Sequence, residues 1–227
     1  MKKVVLFCGL FLINSVYAES SGPFYMKFDA GVSSPKYSIN NEVFYTSNIL
    51  SPKAFFGAGI GYIFSENISS DLVFTIRNRN TLKNHSDDHE DTRDIKQTFS
   101  SKTLMFNTNY TFAPGNTFRP YVSAGLGLAY NTSGNYYGNT FYKTPTTPYN
   151  GIETSPHSSK LRFAHSFGAG IKTEITEKSS VDLFYRYMNL GSASPVSITD
   201  KTHSRTDLVN PGRLKSHDFG ISFTYKF

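Results

Sequence analysis

The sequence predicts an all-β fold, an eight-stranded antiparallel up-and-down transmembrane β-barrel. Three observations carry this. Apolar and polar residues alternate with a period of two in eight separate segments, which gives each strand one apolar and one polar face. The joins between segments alternate short and long. The chain also combines 20 Phe and 15 Tyr with a mean hydropathy of only -0.34, and no segment after residue 18 is long and apolar enough for a membrane-spanning helix.

The first element lies outside the fold. Lys2 and Lys3 form a basic start, Val4 to Val16 is mostly apolar, and Val16-Tyr17-Ala18 is a small-x-small cleavage site. Residues 1–18 therefore read as a signal peptide, cut after Ala18, with residues 19–227 as the barrel domain. Cys8, the only cysteine, leaves with the signal, so disulfide and thiol chemistry are not expected in the mature chain.

The eight segments follow in order. Phe24, Met26, Phe28 and Ala30 oppose Tyr25, Lys27 and Asp29. Phe56, Ala58, Ile60, Tyr62 and Phe64 oppose Gly57, Gly59 and Gly61. Leu72, Phe74 and Ile76 oppose Asp71, Thr75 and Arg77, and Leu104, Phe106, Thr108, Tyr110 and Phe112 oppose Thr103, Asn107 and Asn109. Val122 to Tyr130 alternates with Tyr121, Ser123, Gly125 and Gly127. Leu161 to Ile171 alternates with Arg162, Ser166, Gly168, Gly170 and Lys172. Val181, Leu183, Tyr185 and Tyr187 oppose Asp182, Phe184 and Arg186. Phe219, Ile221, Phe223, Tyr225 and Phe227 close the chain against Gly220, Ser222, Thr224 and Lys226.

The joins at 65–68, 113–116 and 176–179 are short, whereas those near 35–50, 80–98, 131–159 and 191–214 are long and polar. Short and long joins then fall on opposite ends, the arrangement of outer-membrane barrels, with both termini at the short-turn end. Closure is obligatory, because a sheet edge in hydrocarbon leaves backbone groups unpaired at several kcal/mol each. A soluble barrel with apolar residues inside is the rival fold. Against it stand the charges on the polar face: Lys27, Asp29, Asp71, Arg77, Arg162, Asp182, Arg186, Asp218 and Lys226. These fit a narrow, ion-paired interior, with Arg77, Arg162 and Arg186 forking onto Asp29, Asp71, Asp182 or Asp218. A thin wet path past the inward glycines stays open as an alternative.

Catalysis is not expected. His165 and Ser166 are adjacent, so a strand sends them to opposite faces, away from a base–nucleophile pairing with Glu174 or Asp182. No catalytic, cofactor or metal residues are assigned. The run His85, Asp87, Asp88, His89, Glu90, Asp91 and Asp94 has cation-ligand residue types but no spacing that fixes them, and reads as a solvated loop. Flanking Arg79, Lys83, Arg93 and Lys96 suit lipopolysaccharide phosphates or those same acids. Tyr130, Tyr136, Tyr137, Phe141, Tyr142 and Tyr149 among Asn, Thr and Gly suit adaptable contact with a protein or glycan. The net charge of +6 is scattered among acids, which excludes a nucleic-acid stripe.

Residues 120–129, PYVSAGLGLA, resemble the "PYVGAGLG" strand of the opacity-protein and bacterial surface-antigen family of eight-stranded outer-membrane β-barrels. Residues 167–176 resemble that family's "AGVKYEIT" strand, and Val181 to Tyr187 its "VDLGYRY", with Phe184 where glycine is usual. The likeness is strongest over 119–190 and the terminal strand. It implies a barrel in the bacterial outer membrane, a surface antigen or adhesin showing its four long loops to host or matrix molecules; the barrel is expected to be monomeric. The alternative is a structural or narrow-channel, porin-like barrel. The expected partners are outer-membrane lipid, lipopolysaccharide, and a host protein or glycan; no catalytic or binding residue transfers with the resemblance.

Overall fold

The computed structural model describes residues 22–37, 48–49, 51–87, 91–134, 136–142, 149–155, 157–192, 196–200, 205–209 and 212–227. The export segment expected at 1–18 lies outside the described residues. Eight strands form the wall: β1 (Phe24–Tyr37), β2 (Lys53–Ile63), β3 (Ile68–Asp87), β4 (Asp91–Thr111), β5 (Phe118–Ser133), β6 (Ser158–Glu174), β7 (Ser179–Ser192) and β8 (Arg213–Lys226). Each pairs antiparallel with its chain neighbour. β1 closes the ring on β8, in register from Tyr25↔Lys226 to Tyr37↔Leu214. Main-chain bonds at the seam continue past the strands, from the Gly22 amide to the Phe227 carbonyl oxygen.

Which face is which follows from exposure. Ile60 and Leu183, on the apolar face, are each 65% exposed, whereas Asp218 and Ser222 of the polar face are at 0%. Apolar side chains therefore point out of the ring and charges point in, the reverse of a soluble barrel. Phe24, Phe64, Phe112, Phe118 and Phe227 ring the short-turn end as an outward aromatic girdle.

The short turns are built by local side-chain caps. The Ser65 hydroxyl accepts from the Ile68 amide at 3.1 Å, and the Thr176 hydroxyl accepts from the Ser179 amide at 3.0 Å. At the third turn Ala113 takes a left-handed backbone, φ 48°, ahead of Pro114. A Cβ on the inward Gly61 would collide with the Tyr25 ring, so this glycine is what lets the aromatic lie flat across the lower bore.

The other end departs from the sequence reading. Residues 80–87 and 91–98, expected within a long polar loop, are paired strand. β3 runs for 20 residues and β4 for 21, staying paired out to Asp87↔Thr92, about twice the length needed to cross a membrane. The third and fourth long joins add to it. Residues Tyr137–Tyr142 pair with Asp91–Lys96 of β4, and Tyr149–Ser155 pairs back on Tyr136–Tyr142. Val196–Asp200 then joins at Thr199↔Thr154 and carries Arg205–Val209 on its far side. The result is a ledge of strands continuous with the barrel wall. The reason is physical: a ribbon bathed in water on both faces needs no apolar stripe, so alternation of apolar residues does not announce it.

Candidate functional site

The bore is the most elaborated chemistry in the molecule, and it is layered. At its centre Arg77 Nη2 lies 2.7 Å from Asp218 Oδ2, and Arg77 Nη1 donates to the Thr103 hydroxyl at 3.1 Å. Arg186 divides itself between Asp218 at 3.5 Å and Asp29 at 3.6 Å. The Ser216 hydroxyl donates to Asp218 Oδ1 at 2.6 Å, and the Ser222 hydroxyl donates to Asp29. The guanidinium groups of Arg77 and Arg186 also face the Phe55 ring at 6.0 and 5.8 Å from its centroid.

One layer nearer the short turns, Lys27 sits 3.6 Å from Asp71 and 4.0 Å from Asp29. Asp71 also accepts from Asn107 at 2.7 Å, Asn109 at 3.1 Å and the Tyr25 hydroxyl at 3.2 Å. Asp182 accepts from the Tyr121 hydroxyl at 3.0 Å. At the mouth Arg119 forks onto both Glu174 oxygens at 2.6 and 2.8 Å, and Lys226 adds a third contact at 3.0 Å. These three groups line a cavity of about 360 Å³ that includes Glu66, Asn67 and Lys172.

The expected arginine–aspartate interior therefore holds for Arg77 and Arg186 and needs correction elsewhere. Asp71 is taken by a lysine, two amides and a tyrosine, and Asp182 by a tyrosine. Arg162 meets no carboxylate within ion-pair distance among the described residues. The bidentate fork occurs instead at Arg119–Glu174, a pair that the sequence reading did not connect.

A second correction concerns apolar residues inside. Phe99, Met105, Ala129, Ala164, Met188, Leu190 and Leu214 pack together in the half of the bore away from the short turns. Phe55, Tyr121 and Phe184 form a smaller cluster beside the arginines. The signal was present as broken alternation: Phe55-Phe56, Leu72-Val73-Phe74, Leu104-Met105-Phe106 and Leu183-Phe184-Tyr185 each put an apolar residue on the face that should be polar. A bore this narrow must be filled, and apolar side chains fill it without needing partners.

The remaining candidates stay apart. Ser166 is buried in the bore, while His165 lies on the outer wall against Phe167, rings 6.3 Å apart. Glu174 and Asp182 are engaged as above, so neither orients His165. In the upper ribbon His85 lies opposite Asp94, residues 88–90 are outside the described residues, and no three metal-ligating side chains converge among the described ones. Arg79 and Lys96 are exposed, and the side chains of Lys83 and Arg93 are outside the described set. Tyr136, Tyr137, Tyr142 and Tyr149 fall in the ledge strands rather than a free loop, and Phe141 among them is exposed.

A closed ring with an apolar exterior, an aromatic girdle and a charged bore is a membrane-spanning wall. The model of the outer membrane protein beta-barrel domain family matches residues 4–227. The chain belongs to that family. It is a bacterial outer-membrane protein, and in such barrels the short turns face the periplasm and the long segments the outside. Outer membrane protein PagN of Salmonella typhimurium is 31% identical over 134 residues, 59% of this chain and 52% of PagN, so the chain spans about half the length of that curated relative. Among solved structures, Neisserial surface protein A matches 92% of this chain and 100% of its own, at 15% identity and a TM-score of 0.47. Ail, the attachment invasion locus protein of Yersinia pestis, matches 89% of this chain and 98% of its own, at 11% identity and a TM-score of 0.45.

Proposed function

We propose that this protein is a surface adhesin or antigen whose working part is the extracellular ledge. The observation that supports it is the pairing of Tyr137–Tyr142 onto the β4 extension, with Tyr149–Ser155 paired on the far side of that strand. That pairing lifts a Tyr- and Asn-rich hairpin clear of the membrane on a hydrogen-bonded support. Such residues contact a protein or glycan surface with little loss of side-chain freedom. Membrane lipid and lipopolysaccharide surround the wall, and residues 1–18 serve as the export signal.

The experiment is a graft. Residues 134–157 are replaced by a short turn, and expressing cells are tested for adhesion to host cells and to matrix-coated surfaces. Retained heat-modifiable gel migration with lost adhesion is the expected outcome. Unchanged adhesion would remove the hairpin from the account.

The alternative, a narrow channel, has the periplasmic cavity of about 360 Å³ in its favour. The apolar cluster of Phe99, Met105, Met188 and Leu190 stands against it, lying in the other half of the bore, where ions would have to pass.

A further inference from the structure

We propose that Lys36 and Lys215 form a site on the outer wall for the phosphate of a phosphorylated glycolipid of the outer leaflet. The site deepens the lipopolysaccharide part of the reading above. It rests only on the barrel's place in the outer membrane, and its assay is separate from adhesion.

The strand register carries the argument. β1 and β8 place Lys36 directly opposite Lys215, with Ser34↔His217 one step below and Val32↔Phe219 below that. Val32 and Phe219 are outward and exposed, and Pro35, Leu214 and Ser216 are buried. Alternation therefore puts both lysines on the lipid-facing side. Cβ atoms of directly opposite residues lie about 4.5–5.5 Å apart, and like charges there destabilise the pair unless something neutralises them. On its other side β1 pairs Lys36 with Ile49, and toward β7 the outward neighbours are His165, Tyr187, Asn189, Arg213 and His217, none of them acidic. Among the described residues no carboxylate comes within ion-pair distance of either lysine. Arg213, exposed and on the same face, adds a third cation above them.

Depth selects the occupant. From Phe24 to Val32 is eight residues, about 21 Å along the membrane normal at ~3.4 Å per residue and ~40° tilt, close to the ~25 Å apolar band of such barrels. Lys36 and Lys215 stand four residues beyond the last apolar pair, about 10 Å higher on the same arithmetic. That is headgroup level in the outer leaflet, where phosphates lie. Between lysines and lipid sits His217, stacked on Tyr185 with its Nδ1 2.7 Å from the Tyr185 hydroxyl, and edge-on to Tyr187. This aromatic shelf is an amphipathic step from acyl chain to headgroup. The Lys83↔Lys96 pair that the sequence pointed to is also like-charged, but it stands in the upper ribbon two residues from Asp94.

The test uses the full barrel refolded in detergent and exposed to bisphosphorylated lipid A, to its dephosphorylated form, and to phosphatidylcholine. Retained lipid is counted by native mass spectrometry. Wild type should hold bisphosphorylated lipid A and neither of the others. Lys36→Ser and Lys215→Ser should each weaken retention about fivefold, and Lys36→Arg should keep it. Lys36→Glu supplies a folding control: it should lose lipid A yet raise the unfolding temperature in lipid-free detergent, since a cross-strand ion pair replaces a repulsion. Equal retention by wild type and the Lys36→Ser/Lys215→Ser variant would overturn the site, as would equal retention of the dephosphorylated lipid.

Discussion

Arg77 of β3 and Asp218 of β8 meet across the bore at 2.7 Å, although 141 residues separate them in the chain. Asp218 is the common acceptor of Arg77, Arg186 and Ser216, so one carboxylate joins three side chains inside a closed wall. Asp218→Asn should destabilise the barrel by about 3–5 kcal/mol, because buried Arg77 loses its counter-charge and buried Arg186 loses one of its two. Adding Arg77→Met should bring stability part of the way back. Urea unfolding in lipid vesicles, followed by heat-modifiable migration, measures both; additive losses would mean that the two residues do not act as a pair.

A second expectation concerns the register shift between Asn189 and Ser192 on β7. Gly191 sits there at φ 77°, and a Cβ would approach the Arg162 Cβ at 2.8 Å. Gly191→Ala should cost about 1–2 kcal/mol, from left-handed backbone strain and from crowding. The same urea titration reads it, and an unchanged midpoint would show that the bulge relaxes freely.

The apolar half of the bore predicts silence in planar lipid bilayers. The wild-type barrel should carry no steady current. The Met105→Ser/Met188→Ser/Leu190→Ser variant should carry one, since small polar side chains replace the packed cluster. Steady wild-type conductance would restore the channel reading.

At the periplasmic mouth the Arg119–Glu174–Lys226 cluster is partly open to water, so its contribution should be small. A double-mutant cycle of Arg119→Met and Glu174→Gln should give a coupling below about 1 kcal/mol, shrinking with added salt. A larger coupling that ignores salt would mean that the mouth is drier than its exposure indicates.

Export gives the simplest check. Mass spectrometry of the outer-membrane form should show a chain starting at Glu19. A start at Met1 would overturn the cleavage expected after Ala18.

The wall strands could be read because lipid outside and charge inside impose opposite demands on successive residues. Phe219, Ile221 and Phe223 against Asp218, Gly220 and Ser222 mark two faces of opposite chemistry, and the charges on the polar face decide which one meets lipid. Where that contrast fails, so does the reading. Met105 and Phe184 face inward yet look like lipid-facing residues, because a filled bore tolerates either chemistry. The partners of Asp71 and Asp182 were hidden for another reason: which cation meets which acid depends on stagger around the ring, and a single strand's pattern does not carry it. Arg119 and Glu174 are 55 residues apart and meet only because β5 and β6 pair.

The ledge joins the second, third and fourth surface segments through shared backbone hydrogen bonds, from Asp91–Lys96 through Thr154↔Thr199 to Arg205–Val209. An antibody that grips this region would span pieces of chain far apart in sequence. Synthetic peptides copied from any one of them would make poor immunogens, and a vaccine preparation would have to keep the barrel refolded.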